Sequence, residues 1–210
     1  MACDANGTAG AIRAAAAVVT EHRIELIDLD RAIGDADHGE NLNRGFTAVV
    51  SALDSATPET PGAVLKTVAT TLISKVGGAA GPLYGTAFLR AATALGDRSE
   101  VDLEGLVAAL RAGLEGVKAR GKAEVGDATM VDALAPALEA AEDAAKQEGA
   151  DISTVLIAAA DAADRGCEST VDLVPRKGRA SYLGERAVGH ADPGARSTAL
   201  LLRAFAEAAR

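Results

Sequence analysis

The sequence contains few aromatic residues, few cysteines and no long apolar runs, and each shortage excludes a class of protein. Three Phe, two Tyr and no Trp make up 2% of the 210 residues, so the core must be built from aliphatic side chains. Two cysteines are too few for a disulfide framework or a zinc site. No stretch of about 18 apolar residues occurs, so no membrane-spanning helix is predicted.

Positive charge is also scarce. The 21 Lys and Arg are outnumbered by 30 Asp and Glu, which gives a net charge of −9. Because such a surface repels phosphate backbones and anionic lipids, we expect neither a nucleic-acid nor a membrane partner. The N-terminus carries Asp4 and no basic segment, so it predicts a helix start capped by Thr8 rather than a signal peptide. The sequence therefore predicts a cytoplasmic protein.

Helical periodicity dominates the chain, and alanine, a strong helix former, is abundant. The breaks between periodic segments contain Gly, Pro or Asp, and no alternation typical of β-strands occurs. These patterns predict an all-α protein with about eight helices, forming a single domain over residues 1–210. Short connections favour antiparallel neighbours, and hence an up-and-down bundle or barrel. The periodic segments cover roughly 8–20, 22–33, 40–54, 65–76, 82–95, 102–119, 131–138, 152–156 and 200–205.

Three acidic residues are concentrated at one of these breaks. Residues 30–38 read DRAIGDADH, which places Asp30 near a helix end and Asp35 and Asp37 in the following turn. Like charges this close repel one another, so a compensating cation is expected. Carboxylates that converge without cysteine suit a hard cation such as Mg²⁺. A helix cap or a solvated turn is the alternative, and the residues alone leave both open.

A glycine-rich segment, GGAAGPLYGT over 77–86, is a candidate phosphate-binding element. Its glycines permit close backbone approach, and Pro82 suits the first position of a helix. Exposed amides at a helix start attract phosphate, although such a segment can also be just a tight connection. The match of 116–122 to GxxxxGK is interpreted as chance, because Ala123 replaces the required Ser or Thr and the segment is helical.

The segment 171–193 is too irregular for one long helix and too long for an ordinary connection. Its glycines and polar side chains predict a functional loop, with Lys177, Arg179, Tyr182, Arg186 and His190 as its conspicuous members. Covalent catalysis is not indicated. Ser181 lacks a GxSxG setting and Cys167 lies in a helical pattern, so both are interpreted as structural.

Five ordered motifs together resemble the nucleotide-binding L subunit of dihydroxyacetone kinase, and its counterpart domain in single-chain, ATP-dependent kinases. They are Asp30 with GDADHGENLNRGF, then GGAAGPLYGT, RGKAEVGDATMVDAL, GRASYLGERAVGH and DPGA. The resemblance runs from about residue 10 to the C-terminus. It implies a barrel of eight antiparallel helices that holds ADP or ATP at one end through two Mg²⁺ ions.

The resemblance also implies roles for individual residues. Metal ligands would be Asp30, Asp35 and Asp37. The phosphates would be contacted by His38, Gly39, Asn41 and the backbone of Ala79 and Ala80. Adenine and ribose would lie against Gly121, Thr129 and Met130, while Arg179, Asp192, Pro193 and Gly194 would close the site. Arg179 is the expected catalytic residue, and with two Mg²⁺ ions it would offset the roughly −6 of three carboxylates and ADP.

The sequence departs from the family pattern at four positions. Ala36 replaces a glycine of GDGDHG, Ala80 replaces a serine that contacts phosphate, Val125 replaces a proline and Ala128 replaces a lysine. None of these changes removes an expected metal ligand, so we expect the site to survive with an altered affinity.

The implied reaction is phosphoryl transfer to the terminal hydroxyl of dihydroxyacetone. In the family a separate K subunit holds the ketone, so this chain alone would be inactive. Standing alone, it resembles the system in which bound ADP is rephosphorylated by a phosphohistidine on an M subunit of the phosphotransferase system. A homodimer or hetero-oligomer is expected. Two alternatives stay open: a subunit that exchanges free ATP and serves another short ketose, and a nucleotide-loaded docking module for a regulator.

Overall fold

The computed structural model describes residues 3–55 and 58–210. Nine α-helices occupy most of this part of the chain, where about eight were expected, and the predicted all-α class is confirmed. Among the described residues, no helix is both long and apolar enough to cross a membrane. The helices are α1 (Ala5–Glu21), α2 (Arg23–Ile33), α3 (His38–Ser55), α4 (Pro61–Lys75), α5 (Ala80–Leu95), α6 (Leu103–Gly121), α7 (Met130–Ala144), α8 (Ile152–Ser169) and α9 (Pro193–Ala208).

Two short strands escape the sequence pattern. The strand β1 (Cys3–Asp4) pairs antiparallel with β2 (Glu100–Val101), so that Cys3 lies opposite Val101. Strands of two residues are too short for alternation to be visible in a sequence. The pair fastens the start of α1 to the residues that precede α6.

Two predicted helix starts were wrong by a few residues. Asp4, not Thr8, caps α1: its extended backbone lets Oδ1 accept a hydrogen bond from the Gly7 amide at 2.8 Å. Thr8 lies inside the helix and donates its hydroxyl to the Asp4 carbonyl. Pro82 is the third residue of α5, because the helix already begins at Ala80. Asp4, Asn6 and Thr8 could each have capped α1, so the sequence did not select one of them.

The helices pack in an order that closes on itself. Each helix from α3 to α8 contacts the next one, α9 contacts α1, and α1 contacts α3, while α2 packs against α3. This is the order of contacts that the predicted eight-helix barrel requires, and the barrel itself stays a prediction.

The two largest apolar clusters form most of the core. The larger one contains fully buried aliphatic side chains and Phe46, and joins α1, α3 and α4 to α5 and α9. The second lies between α7, α8 and α9 and consists largely of alanines, which let these helices approach closely. Each fully buried Leu, Val or Phe contributes roughly 1.5–3 kcal/mol to folding. The many buried aliphatic side chains therefore stabilise a core that contains almost no aromatic residues.

The connections that follow α2, α4, α6 and α8 meet at one end of the bundle, where they surround a single cavity. Every second connection of an up-and-down helical arrangement lies at the same end. The fold thereby brings together four segments that are far apart in the sequence: 34–37, 76–79, 122–129 and 170–192.

Candidate functional site

The turn between α2 and α3 is folded around Asp30. This buried carboxylate accepts hydrogen bonds at Oδ2 from the backbone amides of Asp37, at 2.8 Å, and His38, at 3.1 Å. Gly34 lies against the same carboxylate, and a Cβ atom at this position would overlap Asp30 Oδ1. Glycine is therefore required here for close approach, a reason that the sequence did not reveal.

The three predicted metal ligands converge. Asp30, Asp35 and Asp37 each offer one carboxylate oxygen, and these oxygens lie within 4.8 Å of one another. A set of three hard oxygen donors beside an open cavity fits Mg²⁺, which takes carboxylates together with water or phosphate oxygens. The structure thus brings the acids together as the metal hypothesis requires, and gives Asp30 a second role as the internal support of the turn.

Arg179 reaches this cluster from the long segment between α8 and α9. It begins the short 3₁₀ turn Arg179–Tyr182, directly after Gly178, which has a φ of 67°. Its Nη2 lies 2.8 Å from Asp35 Oδ2. The segment contains two further 3₁₀ turns, Thr170–Asp172 and Gly184–Ala187. The segment that was predicted to be a functional loop therefore contains three short 3₁₀ turns, and one of them places the Arg179 guanidinium next to the acid cluster.

The glycine-rich segment forms the wall beside the acid cluster. A Cβ atom at Gly78, whose φ is 65°, would lie 4.0 Å from Asp37 Oδ2. The helix α5 begins two residues later, and within the described residues no side chain caps its first turn. The first amides of a helix lack intrahelical partners and attract anions. This wall therefore presents amide donors a short distance from the carboxylates.

The cavity has a volume of about 440 Å³, within the range of small-molecule sites. Thirteen of the fifteen predicted site residues line it: Asp30, Asp35, Asp37, His38, Ala79, Ala80, Gly121, Thr129, Met130, Arg179, Asp192, Pro193 and Gly194. Its apolar part is formed by Ile33, Leu83, Val117, Ala123 and Val131.

Gly39 and Asn41 are not among the lining residues in the described part of the chain. Gly39 is buried where α3 crosses α2, and a Cβ atom there would overlap the carbonyl of Arg23. Asn41 is also buried, and its side-chain oxygen accepts a hydrogen bond from Arg44 at 2.6 Å. The structure thus places these two residues behind the wall, where they support the acid turn and the glycine segment.

His38 faces a buried network of hydroxyl groups. Its Nε2 lies 2.9 Å from Ser197 Oγ, which lies 2.7 Å from the hydroxyl of Tyr84. Burial lowers the pKa of His38 to about 4, against the opposing charge of Asp30, so the imidazole is neutral at pH 7. Burial raises the pKa of Tyr84 to about 12. The network joins α3, α5 and α9 directly beneath the cavity.

The connection before α7 is held by two aspartates. Asp132 accepts hydrogen bonds from the amides of Gly126, at 2.5 Å, and Thr129, at 2.8 Å, and forms a capping box with Thr129. Asp127 accepts from the Glu124 amide at 2.9 Å. The sequence reading missed both, although the T-x-x-D spacing of a capping box was available as a signal. These hydrogen bonds hold the connection in the conformation in which Thr129 and Met130 line the cavity.

Asp192 begins α9 and completes the wall. Its carboxylate accepts a hydrogen bond from the Ala195 amide at 2.7 Å, and Pro193 takes the first helical position. Burial raises the pKa of Asp192 to about 7, and the negative charges of Asp132 and Asp30 act in the same direction.

Further residues line the cavity besides the thirteen predicted ones, and some of them lie in the segments 77–86 and 171–193 that the sequence had singled out. Two of them, Arg120 and Lys177, bring positive charge to a cavity that is rich in carboxylates. Basic residues on an acidic chain gave a weak signal for them. The remaining ones shape the wall through their backbone or apolar surface: Ile33, Gly77, Gly78, Pro82, Leu83, Tyr84, Val117, Ala123, Val131, Gly178 and Ala180.

Comparison with known proteins places this geometry in a family. Residues 32–207 match the family described as the DAK2 domain. The chain is 47% identical, over 185 residues, to the ADP-binding subunit DhaL of the PEP-dependent dihydroxyacetone kinase of Escherichia coli; the match covers 88% of each chain. It is 40% identical, over 192 residues, to the ADP-binding subunit DhaL of the PTS-dependent dihydroxyacetone kinase of Lactococcus lactis, and this match covers 90% of each.

The chain is also similar to part of longer relatives and of solved structures. The L-erythrulose 1-kinase of Mycolicibacterium smegmatis is 34% identical over 192 residues, which are 90% of this chain and 33% of that protein. The crystal structure of the dihydroxyacetone kinase from C. freundii in complex with AMP-PNP and Mg²⁺ superposes with a TM-score of 0.73 at 28% identity. That match covers 99% of this chain and 34% of the solved chain. From its sequence, its fold and the residues of its cavity, this chain belongs to the DAK2 domain family.

Proposed function

We propose that this chain, as a single domain over residues 1–210, is the ADP- and magnesium-binding subunit of a phosphotransferase-dependent dihydroxyacetone kinase. The proposal depends above all on one observation. The cluster of Asp30, Asp35 and Asp37 faces the uncapped start of α5 across one cavity. A metal–nucleotide complex needs carboxylates for the metal and amide donors for the phosphates close to each other, and these two groups lie on neighbouring segments of the cavity wall. The 47% identical relative named as an ADP-binding subunit supports it.

Different residues of the cavity would bind different parts of the nucleotide. The three aspartates would hold two Mg²⁺ ions, which would neutralise phosphate charge and polarise the transferred group. The amides of Ala79 and Ala80 at the start of α5 would bind phosphate oxygens. The adenine and ribose would pack on the apolar wall, against Gly121, Thr129 and Met130 with Leu83 and Val117.

Arg179 is the proposed catalytic residue. In phosphoryl transfer the protein mainly positions groups and stabilises the charge on the equatorial oxygens. The 3₁₀ turn holds the guanidinium at the edge of the acid cluster, 2.8 Å from Asp35, where it can move to a phosphoryl oxygen. Its planar fork can donate two parallel hydrogen bonds, which the ammonium group of lysine cannot.

The proposed subunit works with partners in the cytoplasm. A K subunit would hold the ketone, so this chain alone would be inactive. An M subunit carrying a phosphohistidine would rephosphorylate the ADP in place, and the resting form would be a homodimer or a hetero-oligomer. The relative from L. lactis, named as the ADP-binding subunit of a PTS-dependent kinase, supports this division of labour.

A second candidate is a subunit that exchanges free ATP and phosphorylates another short ketose. The 34% identity to an L-erythrulose 1-kinase favours it. A subunit that keeps its ADP needs a phosphohistidine donor, whereas one that exchanges nucleotide uses ATP from solution. The two candidates therefore differ in the donor they accept, which an assay can measure directly.

The test is reconstitution with a purified K subunit of an L-type kinase system. Ketose phosphate is measured with dihydroxyacetone or erythrulose, and with either a phosphorylated M subunit or ATP as donor. We expect turnover of dihydroxyacetone with the phosphorylated M subunit, none without the K subunit, and none with Asp35→Asn. Asp28→Asn, an exposed residue paired with Arg31, is the matched control and should retain activity.

Turnover with ATP alone would favour the second candidate. If neither donor supports turnover while nucleotide is still retained, the chain would instead be a nucleotide-loaded docking module, and the kinase proposal would be contradicted.

A further inference from the structure

A chain of buried hydroxyl groups lies behind His38. The Ser197 hydroxyl is 2.9 Å from His38 Nε2, and the Tyr84 hydroxyl is 2.7 Å from Ser197 and 2.9 Å from Thr198 Oγ1. Ser197 is 0%, Thr198 2% and Tyr84 4% exposed. Buried hydroxyls must find partners within the protein, so the positions of their hydrogens are constrained by each other.

The donor of each hydrogen bond can be assigned by following the hydrogens. Thr198 donates to the Gly194 carbonyl at 2.8 Å, one helical turn before it, and this leaves its oxygen free to accept. Tyr84 has its shortest contact to Ser197, and its phenol is a stronger acid than an alkyl hydroxyl, so Tyr84 is the donor. Ser197 thereby receives one hydrogen bond and retains its own hydrogen to give.

Two acceptors lie within reach of the Ser197 hydrogen. One is His38 Nε2 at 2.9 Å, and the other is the Gly194 carbonyl at 3.1 Å. That carbonyl already accepts the shorter hydrogen bond from Thr198. The imidazole nitrogen is closer and less occupied, so the hydrogen of Ser197 goes to Nε2. A neutral imidazole that accepts at Nε2 carries its single hydrogen on Nδ1.

We propose that Ser197 and Tyr84 are positioning residues that hold His38 in the tautomer protonated on Nδ1, and that this N–H donates to a phosphate oxygen of the bound nucleotide. His38 lines the cavity beside the acid cluster, and its Nδ1 has no hydrogen-bond partner within residues 3–55 and 58–210. No buried side-chain nitrogen or oxygen in those residues lacks a partner, so Nδ1 must be accessible from the cavity rather than enclosed. An N–H is therefore available at the one face where an anion is expected.

The opposite tautomer would place a lone pair toward the phosphate and repel it. The second half of the inference thus rests on the proposed function, because it needs a phosphate ligand. The first half, the tautomer itself, is a property of the protein without nucleotide. The two halves can therefore fail separately.

The experiment uses the full chain with ¹⁵N-labelled histidine. Long-range ¹H–¹⁵N spectra distinguish the two tautomers and the doubly protonated ring, and the His38 signal among the three histidines is identified by its loss in His38→Gln. Calorimetry then gives the Mg-ADP affinity of the parent and of Ser197→Ala, Tyr84→Phe and Ser197→Thr. Thr86→Val is the control, because Thr86 also lies on α5 but its hydroxyl donates to the Pro82 carbonyl and is not part of this network.

We expect the parent to carry the hydrogen on Nδ1. Ser197→Ala should give mixed or reversed tautomers and weaken Mg-ADP binding about tenfold, the value of one hydrogen bond to a charged group. Tyr84→Phe should act in the same direction with a smaller effect. Ser197→Thr, which keeps the hydroxyl, should retain the parent's tautomer and most of its affinity, and Thr86→Val should change neither readout.

The proposal would be overturned by a parent ring protonated on Nε2 or on both nitrogens, or by equal effects of Thr86→Val and Ser197→Ala. A parent with the expected tautomer that fails to bind Mg-ADP would contradict the proposed function and the phosphate contact, and leave the tautomer assignment standing. Circular dichroism checks that each variant remains helical, and Tyr84→Phe keeps the test available if Ser197→Ala does not fold.

Discussion

Arg179 and Asp35 form an ion pair, with Nη2 of the arginine 2.8 Å from Oδ2 of the aspartate. The guanidinium is 66% exposed and the carboxylate 34%, so the pair itself contributes little to folding. Its importance is positional. It places a cation against one of the three carboxylates proposed to hold metal, and Mg²⁺ binding would release Arg179 toward the phosphates.

Replacing Arg179 by alanine should slow phosphoryl transfer far more than it weakens nucleotide binding. If the guanidinium stabilises charge that develops in the transfer, kcat should fall about hundredfold or more, while the ADP affinity changes only a few-fold. Arg179→Lys should restore part of the rate. Steady-state kinetics of the reconstituted kinase and calorimetry of the isolated chain measure the two effects.

Arg186 supplies the control for this experiment. It lies in the same segment and is exposed, with its Nε directed to the Leu183 carbonyl. Arg186→Ala should leave kcat and ADP affinity unchanged. A parental kcat in Arg179→Ala would show that this arginine is only a solvated surface residue.

Asp30 and Asp35 should respond differently to removal, because only Asp30 supports the turn. Asp30→Ala leaves the amides of Asp37 and His38 without their acceptor, so stability should fall by about 1–3 kcal/mol along with the loss of Mg²⁺ binding. Asp35→Ala should abolish Mg²⁺ binding with a stability change within about 0.5 kcal/mol. Urea unfolding without metal and calorimetry with Mg²⁺ separate the two roles. Equal destabilisation by both substitutions would contradict this distinction.

Ala36→Gly should stabilise the protein. Ala36 has a φ of 63°, in the left-handed region, which costs an alanine about 1–2 kcal/mol. Glycine removes this cost but loses more entropy on folding, so we expect a net gain of about 0.5 kcal/mol, measured by urea unfolding. Ala17→Gly, at an exposed position within α1, is the control and should destabilise by about 1 kcal/mol. Destabilisation at both positions would show that Ala36 is unstrained.

Asp192→Asn should make stability less dependent on pH between about 4 and 7. The folded pKa of Asp192 is about 7, above the ordinary aspartate value of 3.8, so the native state binds the extra proton in this interval. Its favourable contribution is complete below about pH 4 and is lost as the pH rises through 7. Each pKa unit corresponds to about 1.4 kcal/mol, so the variant should gain a few kcal/mol relative to the parent by pH 8.

Asp151 provides the opposite case for comparison. It caps α8 in the same way, but its hydrogen bond from the Thr154 amide lowers its pKa. Its contribution is present above the unfolded pKa and is lost as the pH falls, so Asp151→Asn should be the less stable form at neutral pH. Thermal unfolding of the parent and both variants from about pH 2 to 8 measures the two slopes, that of Asp151 below about pH 4 and that of Asp192 above it. Parallel pH profiles for the parent and Asp192→Asn would contradict the raised pKa of Asp192.

Local sequence patterns were sufficient for the helices and for the acid turn. A 3.6-residue period and a cluster such as GDADH are contained within a few turns of chain, so one sequence displays them. Their partners are not displayed. Ser197 lies 159 positions from His38 and 113 from Tyr84, and these contacts exist only after the helices have packed.

The position of single residues behind or in the wall was also beyond the sequence. Gly39 and Asn41 belong to the same motif as Asp37 and His38, but the helical turn directs them toward α2 and Arg44 rather than into the cavity. Helix packing decides which segments meet at this end of the bundle, and the motif contains no information about that packing.

The central claim is that the acid cluster holds ADP through magnesium, and native mass spectrometry of the purified chain tests it most directly. We predict that the parent carries one ADP and two Mg²⁺, that chelation by EDTA removes both, and that Asp37→Asn retains neither, while Asp28→Asn behaves as the parent. Nucleotide that stays bound after EDTA treatment and in Asp37→Asn would contradict the claim, as would a parent unable to bind Mg-ADP when both are supplied.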